Sequence, residues 1–591
     1  MYLETFSIKH FRSINSLTLN FNHGLNVLVG ENNAGKTAII DALKISLGYG
    51  NQKRDLYVSL GDFHIDKTIL SEEHHDIEFH LHFKIEAPEE AAWFNDMLNV
   101  NEDSSQNLQL HFKYYVDEVA GFKRVRYKVW GGVNEGQLIS PDVLTLLYHV
   151  HLGALRDAEQ YLRPIRGNRL GQLYSNMQTN PDKIIDKEKK KEIAGKIKLA
   201  IDSDPDWVSH VQNGETKINE HLKETSFINK HQPVDVDFLA YDFNKLVDNL
   251  KMQIPIYSEA LLDGDLAKQK HFELYQNGLG YNNLIYTATI LGDLKQRRQL
   301  DAETYIALLI EEPEAHLHPQ LQNLFFNYLN KLEAELGFQV FVTSHSPTIT
   351  AKANLNSILV LQNHEHKVSS LSIKESGLTD SNRNYLHKFL DVTKSQLFFS
   401  EGTILVEGIS EALLIPSFSK IMGEEFNIEK AGIELVNLGG VAFEHFANLY
   451  NNDIESKRLK TRCAIISDDD RDQVTDEIAS RAVIAQGLEK NNLKVYLAEV
   501  TFEFELFIAG SNKDILLAIY AEMHPISASR IVAGVNLKEH ARSFLSKVIS
   551  NKAKSELAHR LAVKLSTDQV TRAAFTVPAY IQEAIRFVLK K

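Results

Sequence analysis

The stretch Gly30-Glu31-Asn32-Asn33-Ala34-Gly35-Lys36-Thr37 separates a short apolar segment, Leu25–Val29, from apolar residues that recur at helical spacing. It matches the phosphate-binding loop that joins a strand to a helix. In such a loop the backbone around Gly30, Asn32, Asn33 and Gly35 turns its N–H groups toward phosphate oxygens, and the helix N-terminus adds its positive end. We expect Lys36 to reach the β- and γ-phosphates and Thr37 to hold Mg²⁺. The stretch therefore predicts an ATP site in an α/β domain.

A second motif lies far downstream, where the apolar segment Ile306–Ile310 ends in two acids. A carboxylate beside Mg²⁺ at a strand end, followed by an acid that polarises water, suits hydrolysis of a phosphoanhydride. We assign Glu311 to the metal and Glu312 as the catalytic base; the alternative is a pair of surface acids. His316 and His318 follow and suggest a zinc pair, but no further ligands stand at suitable spacing.

Composition limits the class of protein. The chain has 591 residues, 43% hydrophobic and 24% charged, which fits a soluble protein of two to four domains. No apolar run is long enough to span a membrane, and the N-terminus lacks the pattern of a secretory signal. The single cysteine, Cys463, sits in an apolar stretch and is expected in the core, which fits a reducing cytoplasm.

The net charge of −14 excludes DNA binding by bulk attraction, so nucleic acid would have to meet local basic patches or bound metal ions. Two patches are candidates: Lys187/Lys189/Lys190/Lys191 and Arg297/Arg298. For the lysine run, a solvated helix face of mixed charge is the simpler interpretation.

A further set of acids occupies the last third of the chain. Glu407 and Glu411 follow the apolar segment Ile404–Val406 and, four residues apart, can converge on one side. Asp468 and Asp470 follow a second such segment about 60 residues later and, two residues apart, can point the same way. Hard oxygen ligands at strand ends are what Mg²⁺ or Mn²⁺ requires. Like charges this close would repel strongly without a cation between them, which favours a metal site over a solvated loop.

Periodicity and composition suggest four segments. Alternating residues in 77–83, 108–112 and 124–129 predict an antiparallel sheet beside the nucleotide core, and a Lys/Glu-rich stretch predicts a helical insertion. The expected segments are an N-terminal ATPase part (1–165), the insertion (166–235), a C-terminal ATPase part (236–380) and a last domain with C-terminal helices (381–591).

The motifs around the ATP site resemble the RecF/SMC/Rad50-like branch of ABC-type ATPases. The resemblance rests on Glu311–Pro319, on the opening Ile8–Ile14 and on Thr343–Pro347. It implies that Arg12 and Ser13 lie near the nucleotide and that His345 faces the γ-phosphate. Gln276–Asn283, with Gly278 and Gly280, resembles the signature motif, which completes the site of a second subunit across a dimer. The expected position of the Q-loop is Gly61-Asp62-Phe63.

The acids of the last segment resemble the Rossmann-like Toprim fold, in which a Glu-Gly strand end is followed by an Asp-x-Asp strand end. With Glu411, the whole chain resembles the OLD (overcoming lysogenization defect) nucleases, which join an ABC-type ATPase to a Toprim domain. Further matches are Leu155-Arg156-Asp157, Thr501-Phe502-Glu503 and Lys554, with Lys552 as a competing register.

This resemblance implies a two-metal site using Mg²⁺, with Mn²⁺ as an alternative. Glu407, Asp468 and Asp470 would hold one ion, and Glu411 and Glu503 would contribute to the second. Lys554 would offset charge on the transition-state phosphate. No tyrosine is placed by sequence as a covalent nucleophile, which favours hydrolysis over strand passage.

The leading hypothesis is an ATP-regulated, metal-dependent DNA endonuclease, cytoplasmic, without a membrane partner, and a homodimer or larger assembly. By resemblance it would act in bacterial anti-phage defence, alongside a helicase or retron components. One alternative is a DNA-sensing RecF/SMC-like ATPase whose Toprim domain binds DNA without cutting it. A third hypothesis, a structural SMC-like clamp, is disfavoured because long heptad arms are absent from the sequence.

Overall fold

A computed structural model describes most of the chain. The described residues are 1–50, 56–65, 75–100, 106–136, 139–153, 161–166, 168–176, 187–226, 232–236, 242–256, 271–299, 304–315, 317–364, 366–440, 442–472, 475, 477–490 and 492–591. Leu155–Asp157 and His316, which were singled out in the sequence, lie outside them.

Strands within these residues are numbered in chain order. They are β1 Tyr2–Phe11, β2 Ile14–Asn20, β3 Leu25–Gly30, β4 Ile77–Lys84, β5 Leu98–Val100, β6 Gln106–Val119, β7 Phe122–Gly131, β8 Leu147–Leu152, β9 Ile254–Pro255, β10 His271–Phe272, β11 Tyr305–Glu311, β12 Gln339–Ser344, β13 Ile358–His364, β14 Lys367–Ser372, β15 Gly402–Val406, β16 Ile433–Asn437, β17 Arg462–Asp468 and β18 Leu493–Ala498.

Helices are named by their bounds. The longer α-helices are Lys36–Leu47, Arg169–Asn176, Lys187–Asp202, Pro205–Thr225, Leu279–Gln299, Pro319–Leu336, Asp380–Phe389, Ile409–Met422, Asn512–Met523, Leu537–Ser550, Lys554–Thr567 and Ala579–Val588, and the shorter ones are Pro88–Ala91, Pro141–Leu144, Phe243–Asp248, Pro347–Lys352, Phe443–Ala447, Ser480–Gln486, Phe502–Ile508, Pro525–Ala528 and Gln569–Ala574.

The first sheet is antiparallel and has the order β2-β1-β4-β6-β5, with β7 paired to β6. Its alternation follows the sequence directly: Ile77, Phe79, Leu81 and Phe83 of β4 are buried, and the residues between them are half-buried. The predicted strands in 77–83, 108–112 and 124–129 are confirmed. The buried face packs with helix Lys36–Leu47 in one apolar core.

The nucleotide-binding region is a mostly parallel sheet with the order β14-β13-β3-β12-β11-β8. Strands β3, β11 and β12 are parallel neighbours and almost wholly buried, as their continuous apolar sequences require. Because carboxyl ends of parallel strands meet at one edge, Gly30, Glu311 and Ser344 come to the same edge of this sheet.

A separate unit is formed by residues 152–304 together with 315–318. It contains the helices predicted for the insertion, including Lys187–Asp202 and Pro205–Thr225. Lys189 and Lys196 form ion pairs with Glu192 on the exposed side of the first of these helices. The lysine run is therefore part of a helix face of mixed charge. The proposed segment boundaries at 165/166, 235/236 and 380/381 stay predictions.

The last sheet is parallel, with the order β16-β15-β17-β18. The C-terminal helices share one apolar core with it, and Cys463 of β17 is fully buried, as predicted. This sheet belongs to the same compact unit as the first two. In the part of the chain that the structure describes, no helix combines the length and apolar character needed to cross a bilayer.

Candidate ATP and metal sites at two sheet edges

The phosphate-binding loop leaves β3 at Gly30, where only glycine fits. Gly30 has a φ of 152°, and a Cβ atom there would lie 2.2 Å from the carbonyl oxygen of Leu361. Asn33 also has a positive φ, 65°, which asparagine tolerates better than most residues. Gly35 has a φ of 91° and precedes the helix, whose second residue, Thr37, is exposed. The loop thus has the backbone shape that the motif predicts.

Lys36 is buried and folds back on its own loop. Its Nζ donates hydrogen bonds of 2.6 Å to the carbonyl oxygens of Gly30 and Glu31. Burial lowers the pKa of Lys36 to about 8, although nearby Glu312, Glu31 and Glu314 oppose this shift. The ammonium group is held by carbonyl oxygens that a phosphate could replace.

The two acids at the end of β11 have different surroundings. The carboxylate of Glu311 lies 2.7 Å from Nε2 of His151. Glu312 has a φ of 46°, an uncommon backbone conformation for this residue type, and its N–H donates to the carbonyl of Thr343 at 2.9 Å. Such strained backbone conformations are found at functional sites.

His345 lies beside Glu312, with 3.4 Å between its Nε2 and the Glu312 carboxylate. Burial and the charge of Lys36 lower the pKa of His345, which favours its neutral form. The structure therefore brings together the lysine of the loop, the candidate base and the histidine that resembles the switch residue.

Arg12 connects the opening segment to the predicted position of the Q-loop. Its guanidinium pairs with Asp62 at 2.8 Å and with Asp41, on the helix after the phosphate loop, at 2.6 Å. Ser13 is exposed in the turn between β1 and β2. Gly278 and Gly280 lie at the start of helix Leu279–Gln299 in the other unit, so their predicted role across a dimer stays a prediction.

Sequence reasoning missed Glu314. Its carboxylate accepts hydrogen bonds from Ser344 Oγ at 2.9 Å and from the backbone N–H of His345 at 2.7 Å. Burial raises the pKa of Glu314 above its usual range. Its place within the Glu311–Pro319 motif was a sequence signal, but the motif did not indicate the contacts of Glu314, because Ser344 and His345 lie about 30 residues away.

The second site lies at the carboxyl edge of the last sheet. Glu407 follows β15 and Asp468 ends β17, and these two strands are parallel neighbours. Glu407 accepts hydrogen bonds from Ser467 Oγ and from the backbone N–H of Asp468. Asp468 accepts one at 2.8 Å from the N–H of Phe502, which begins the helix after β18. Three strand ends thus converge.

Two more acids face this pair. Glu411 is buried in the first turn of helix Ile409–Met422, and Glu503 is buried in helix Phe502–Ile508. Burial, then repulsion from Glu503 and Glu407, raises the pKa of Glu411 to about 7. Burial and the same neighbours raise the pKa of Asp468 well above its usual range.

Lys554 supplies the positive charge of this acidic cluster. Its Nζ lies 2.8 Å from the Glu503 carboxylate. Burial opposes its charge, but Glu503, Asp468 and Glu411 outweigh burial and raise the Lys554 pKa. The structure places Lys554 at the start of helix Lys554–Thr567, whereas Lys552 lies in the turn before it. Lys554, and not the alternative Lys552, is therefore the lysine that contacts the acidic cluster.

Asp470 does not point with Asp468 as expected. It has a φ of 43° and its carboxylate is paired with Arg481. Asp469, between them, is buried and paired with Arg471 at 2.6 Å. The reason is local: the backbone turns at Asp470 and ends the alternation on which the prediction depended.

The donor set fits a hard divalent cation. Glu407, Glu411, Asp468 and Glu503 offer only carboxylate oxygens. Burial, and then repulsion between these carboxylates, raises the pKa values of Glu411 and Asp468, and a cation would relieve the repulsion. In the described residues, no three His, Cys, Asp or Glu side chains are already arranged to hold a metal ion. These carboxylates would therefore have to turn toward a bound ion, with Glu503 leaving Lys554.

Comparison with known families finds an ATPase family and a Toprim family in the same chain. Residues 159–350 match the AAA ATPase domain family, and residues 398–470 match the Toprim domain of overcoming lysogenization defect-like proteins. Residues 1–146 match a family described only as a protein of unknown function, DUF2813.

Two similar proteins are nucleases. One is endonuclease GajA of Bacillus cereus strain HuB5-5, which is 23% identical in an alignment 502 positions long that covers 73% of this chain and 69% of GajA. The other is the OLD nuclease of Thermus scotoductus, 25% identical over 74% of this chain and 78% of that protein. A solved structure, the C-terminal region of the Xanthomonas campestris OLD protein, is 22% identical, covering 33% of this chain and 96% of its own, with a TM-score of 0.24, too low to support any inference.

Fold, sites and family matches define an ABC-type ATPase joined in one chain to a Toprim domain. In this combination the chain resembles the OLD nucleases, and its residues 398–470 match the Toprim domain of overcoming lysogenization defect-like proteins.

Proposed function

We propose that this protein is a DNA endonuclease that depends on a divalent metal and is regulated by ATP. The observation that carries the proposal is the convergence of Glu407, Glu411, Asp468 and Glu503 with Lys554, in the chain that also holds the Lys36 loop. The similar proteins named as an endonuclease and an OLD nuclease support it.

In the ATP site, Lys36 would exchange its carbonyl partners for the β- and γ-phosphates, and Thr37 and Glu311 would hold Mg²⁺. Glu312 would orient the attacking water and accept its proton. His345, 3.4 Å from Glu312, would face the γ-phosphate. The signature residues Gly278 and Gly280 would complete the site of a second copy, so we propose a homodimer or larger assembly.

In the Toprim site, Glu407, Glu411, Asp468 and Glu503 would hold Mg²⁺ or Mn²⁺, with Asp470 joining after it leaves Arg481. Such ions, when bound, supply an activated water and stabilise the leaving oxygen. Lys554 would lie against the scissile phosphate once Glu503 no longer pairs with it, and would offset the charge of the transition state. A role in anti-phage defence with helicase or retron partners, in the bacterial cytoplasm, stays a proposal from family resemblance.

The decisive experiment is cleavage of supercoiled plasmid with Mg²⁺ or Mn²⁺, with and without ATP. We expect the wild type to cut only with metal, and Asp468→Ala to lose about 10²-fold or more of this activity. Lys36→Ala and Glu312→Gln should stop ATP turnover and abolish any effect of ATP on cleavage.

Matched controls separate these roles from general damage. Glu505→Gln changes a half-buried acid on the same helix as Glu503 and should cut like the wild type. Lys9→Ala removes an exposed lysine of β1 and should leave ATP turnover intact. If Asp468→Ala cuts as well as the wild type, the nuclease assignment is wrong; turnover by Lys36→Ala contradicts the ATP site. Plasmid binding without cutting would favour the DNA-sensing alternative.

A further inference from the structure

Glu314 ties the end of one strand of the ATP site to the end of its neighbour. It follows β11 by three residues, and its Oε1 accepts hydrogen bonds from Ser344 Oγ and from the N–H of His345. Ser344 ends β12, which runs parallel to β11. One carboxylate oxygen therefore fixes the turn that carries His345.

The turn is closed by further hydrogen bonds. Ser344 Oγ accepts from the N–H of Ser346 at 2.9 Å, and Ser346 Oγ donates to Gln322 Oε1 at 3.2 Å. Gln322 Nε2 donates to the carbonyl oxygen of Glu314 at 3.3 Å. The chain of contacts returns to Glu314, which makes this residue the junction of the network.

The second oxygen of the same carboxylate, Oε2, is buried and has no hydrogen-bond partner among the described residues. An unpaired buried oxygen destabilises a fold, so a purely structural role does not account for a carboxylate at position 314. The carboxylate also lies close enough to the phosphate-binding loop for its charge to act on Lys36. The network therefore belongs to the ATP site itself.

We infer that Glu314 is a positioning residue for ATP hydrolysis: it holds the backbone of His345 so that the imidazole stays against Glu312. The inference rests on the proposed ATPase activity. Without the Glu314 acceptor, the N–H of His345 loses its partner and the turn can shift. A displacement of about 1 Å at a catalytic group costs about 10²-fold in rate. Nucleotide binding, through Lys36 and the loop, should be spared.

The test measures kcat for ATP and the Kd of ATP separately, in the full-length protein. We expect Glu314→Ala to lower kcat about 10- to 100-fold while Kd changes less than about threefold. Glu314→Gln keeps an oxygen acceptor and should restore most of the rate. Glu314→Asp keeps the charge but withdraws the carboxylate by one methylene, so it should resemble Glu314→Ala and serves if the alanine variant does not fold.

A double-mutant cycle with His345→Ala distinguishes positioning from a separate role. If Glu314 acts through His345, Glu314→Ala should add less than about twofold to the loss caused by His345→Ala. An unchanged kcat in Glu314→Ala and Glu314→Asp, or full additivity with His345→Ala, overturns the inference. A wild type that binds ATP but does not hydrolyse it overturns the proposed ATPase activity as well, so the two failures are distinguishable.

Discussion

Glu31 of the phosphate-binding loop lies within hydrogen-bonding reach of Glu401, the residue before strand β15. Burial and the neighbouring carboxylate of Glu401 raise the pKa of Glu31 to about 7, while a backbone hydrogen bond from Asn363 opposes this shift. Strand β15 ends at Val406, directly before Glu407 of the acidic cluster. The contact between these two carboxyl groups thus connects the ATP loop to the strand that leads to the acidic cluster.

The Glu31–Glu401 contact predicts a pH-dependent stability. The pKa of Glu31 is about 7 in the folded state and near 4.5 in the unfolded state. The folded protein therefore holds a proton that the unfolded chain releases, and stability falls as pH rises from about 4.5 to 7. Glu401→Gln should weaken this fall and stabilise the protein at pH 8 by about 1 kcal/mol or less, since the pair is partly exposed.

Thermal unfolding at pH 5 and pH 8 checks this expectation. The stabilisation by Glu401→Gln should be present at pH 8 and absent at pH 5. Glu455→Gln is a suitable control, because it removes an exposed carboxylate that pairs with Lys460 rather than with another acid. Equal stabilisation by Glu401→Gln at both pH values would contradict the contribution of Glu401 to the raised pKa of Glu31.

Much of the architecture around both sites could be predicted, because the relevant residues sit directly after continuous apolar strands. The loop at the end of β3, Glu311 and Glu312 at the end of β11, and Glu407 and Asp468 at the ends of β15 and β17 all follow this pattern. Parallel pairing then brings such strand ends to one edge, so neighbours in the sheet become neighbours in the site.

The contacts that depend on distant packing could not be predicted. Glu31 and Glu401 are 370 residues apart, and no local pattern marks either as a partner. The choice of Lys554 over Lys552 depends on how helix Lys554–Thr567 packs on helix Ile409–Met422. Asp470 has a positive φ, which turns the backbone. Nothing in the neighbouring sequence indicated this turn, and the pattern suggested that the strand continued through Asp470.

Metal binding should strengthen as pH rises through 7. Glu411, with a pKa of about 7, must lose its proton to act as a ligand, so protons compete with the ion. Between pH 6 and pH 8 we expect affinity for Mn²⁺ to rise about tenfold from this group. Titration calorimetry of the wild type and Glu411→Gln measures this rise. The variant should bind Mn²⁺ more weakly at pH 8, and its affinity should no longer rise between pH 6 and pH 8. If the Mn²⁺ affinity of Glu411→Gln still rises near pH 7, Glu411 is not the group whose titration causes the rise.

Arg481 and Arg471 allow a matched comparison. Arg481 pairs with the partly exposed Asp470, so Arg481→Gln should free that carboxylate and lower the Mn²⁺ concentration for half-maximal cleavage up to about fivefold, the equivalent of about 1 kcal/mol. Arg471 pairs with the buried Asp469, and Arg471→Gln should instead destabilise the fold by about 3–5 kcal/mol. Cleavage measured at increasing Mn²⁺ concentrations reports the effect of Arg481→Gln, and thermal unfolding reports the effect of Arg471→Gln. An unchanged metal requirement in Arg481→Gln would show that Asp470 is not a ligand.

Tyr580 tests whether cleavage is hydrolytic. Its hydroxyl is buried without a hydrogen-bond partner in the described residues, and burial, then Asp468 and Glu411, raises its pKa far above the usual range. A hydroxyl that holds its proton so firmly is a poor nucleophile, so water should attack the phosphate.

Tyr580→Phe should then cut plasmid within about threefold of the wild type and gain stability, because an unpaired buried hydroxyl costs about 1–3 kcal/mol. Tyr496→Phe, on β18, is the control. Loss of cleavage in Tyr580→Phe alone, with DNA trapped covalently on the wild type, would mean that the tyrosine attacks the phosphate and that the hydrolytic mechanism is wrong.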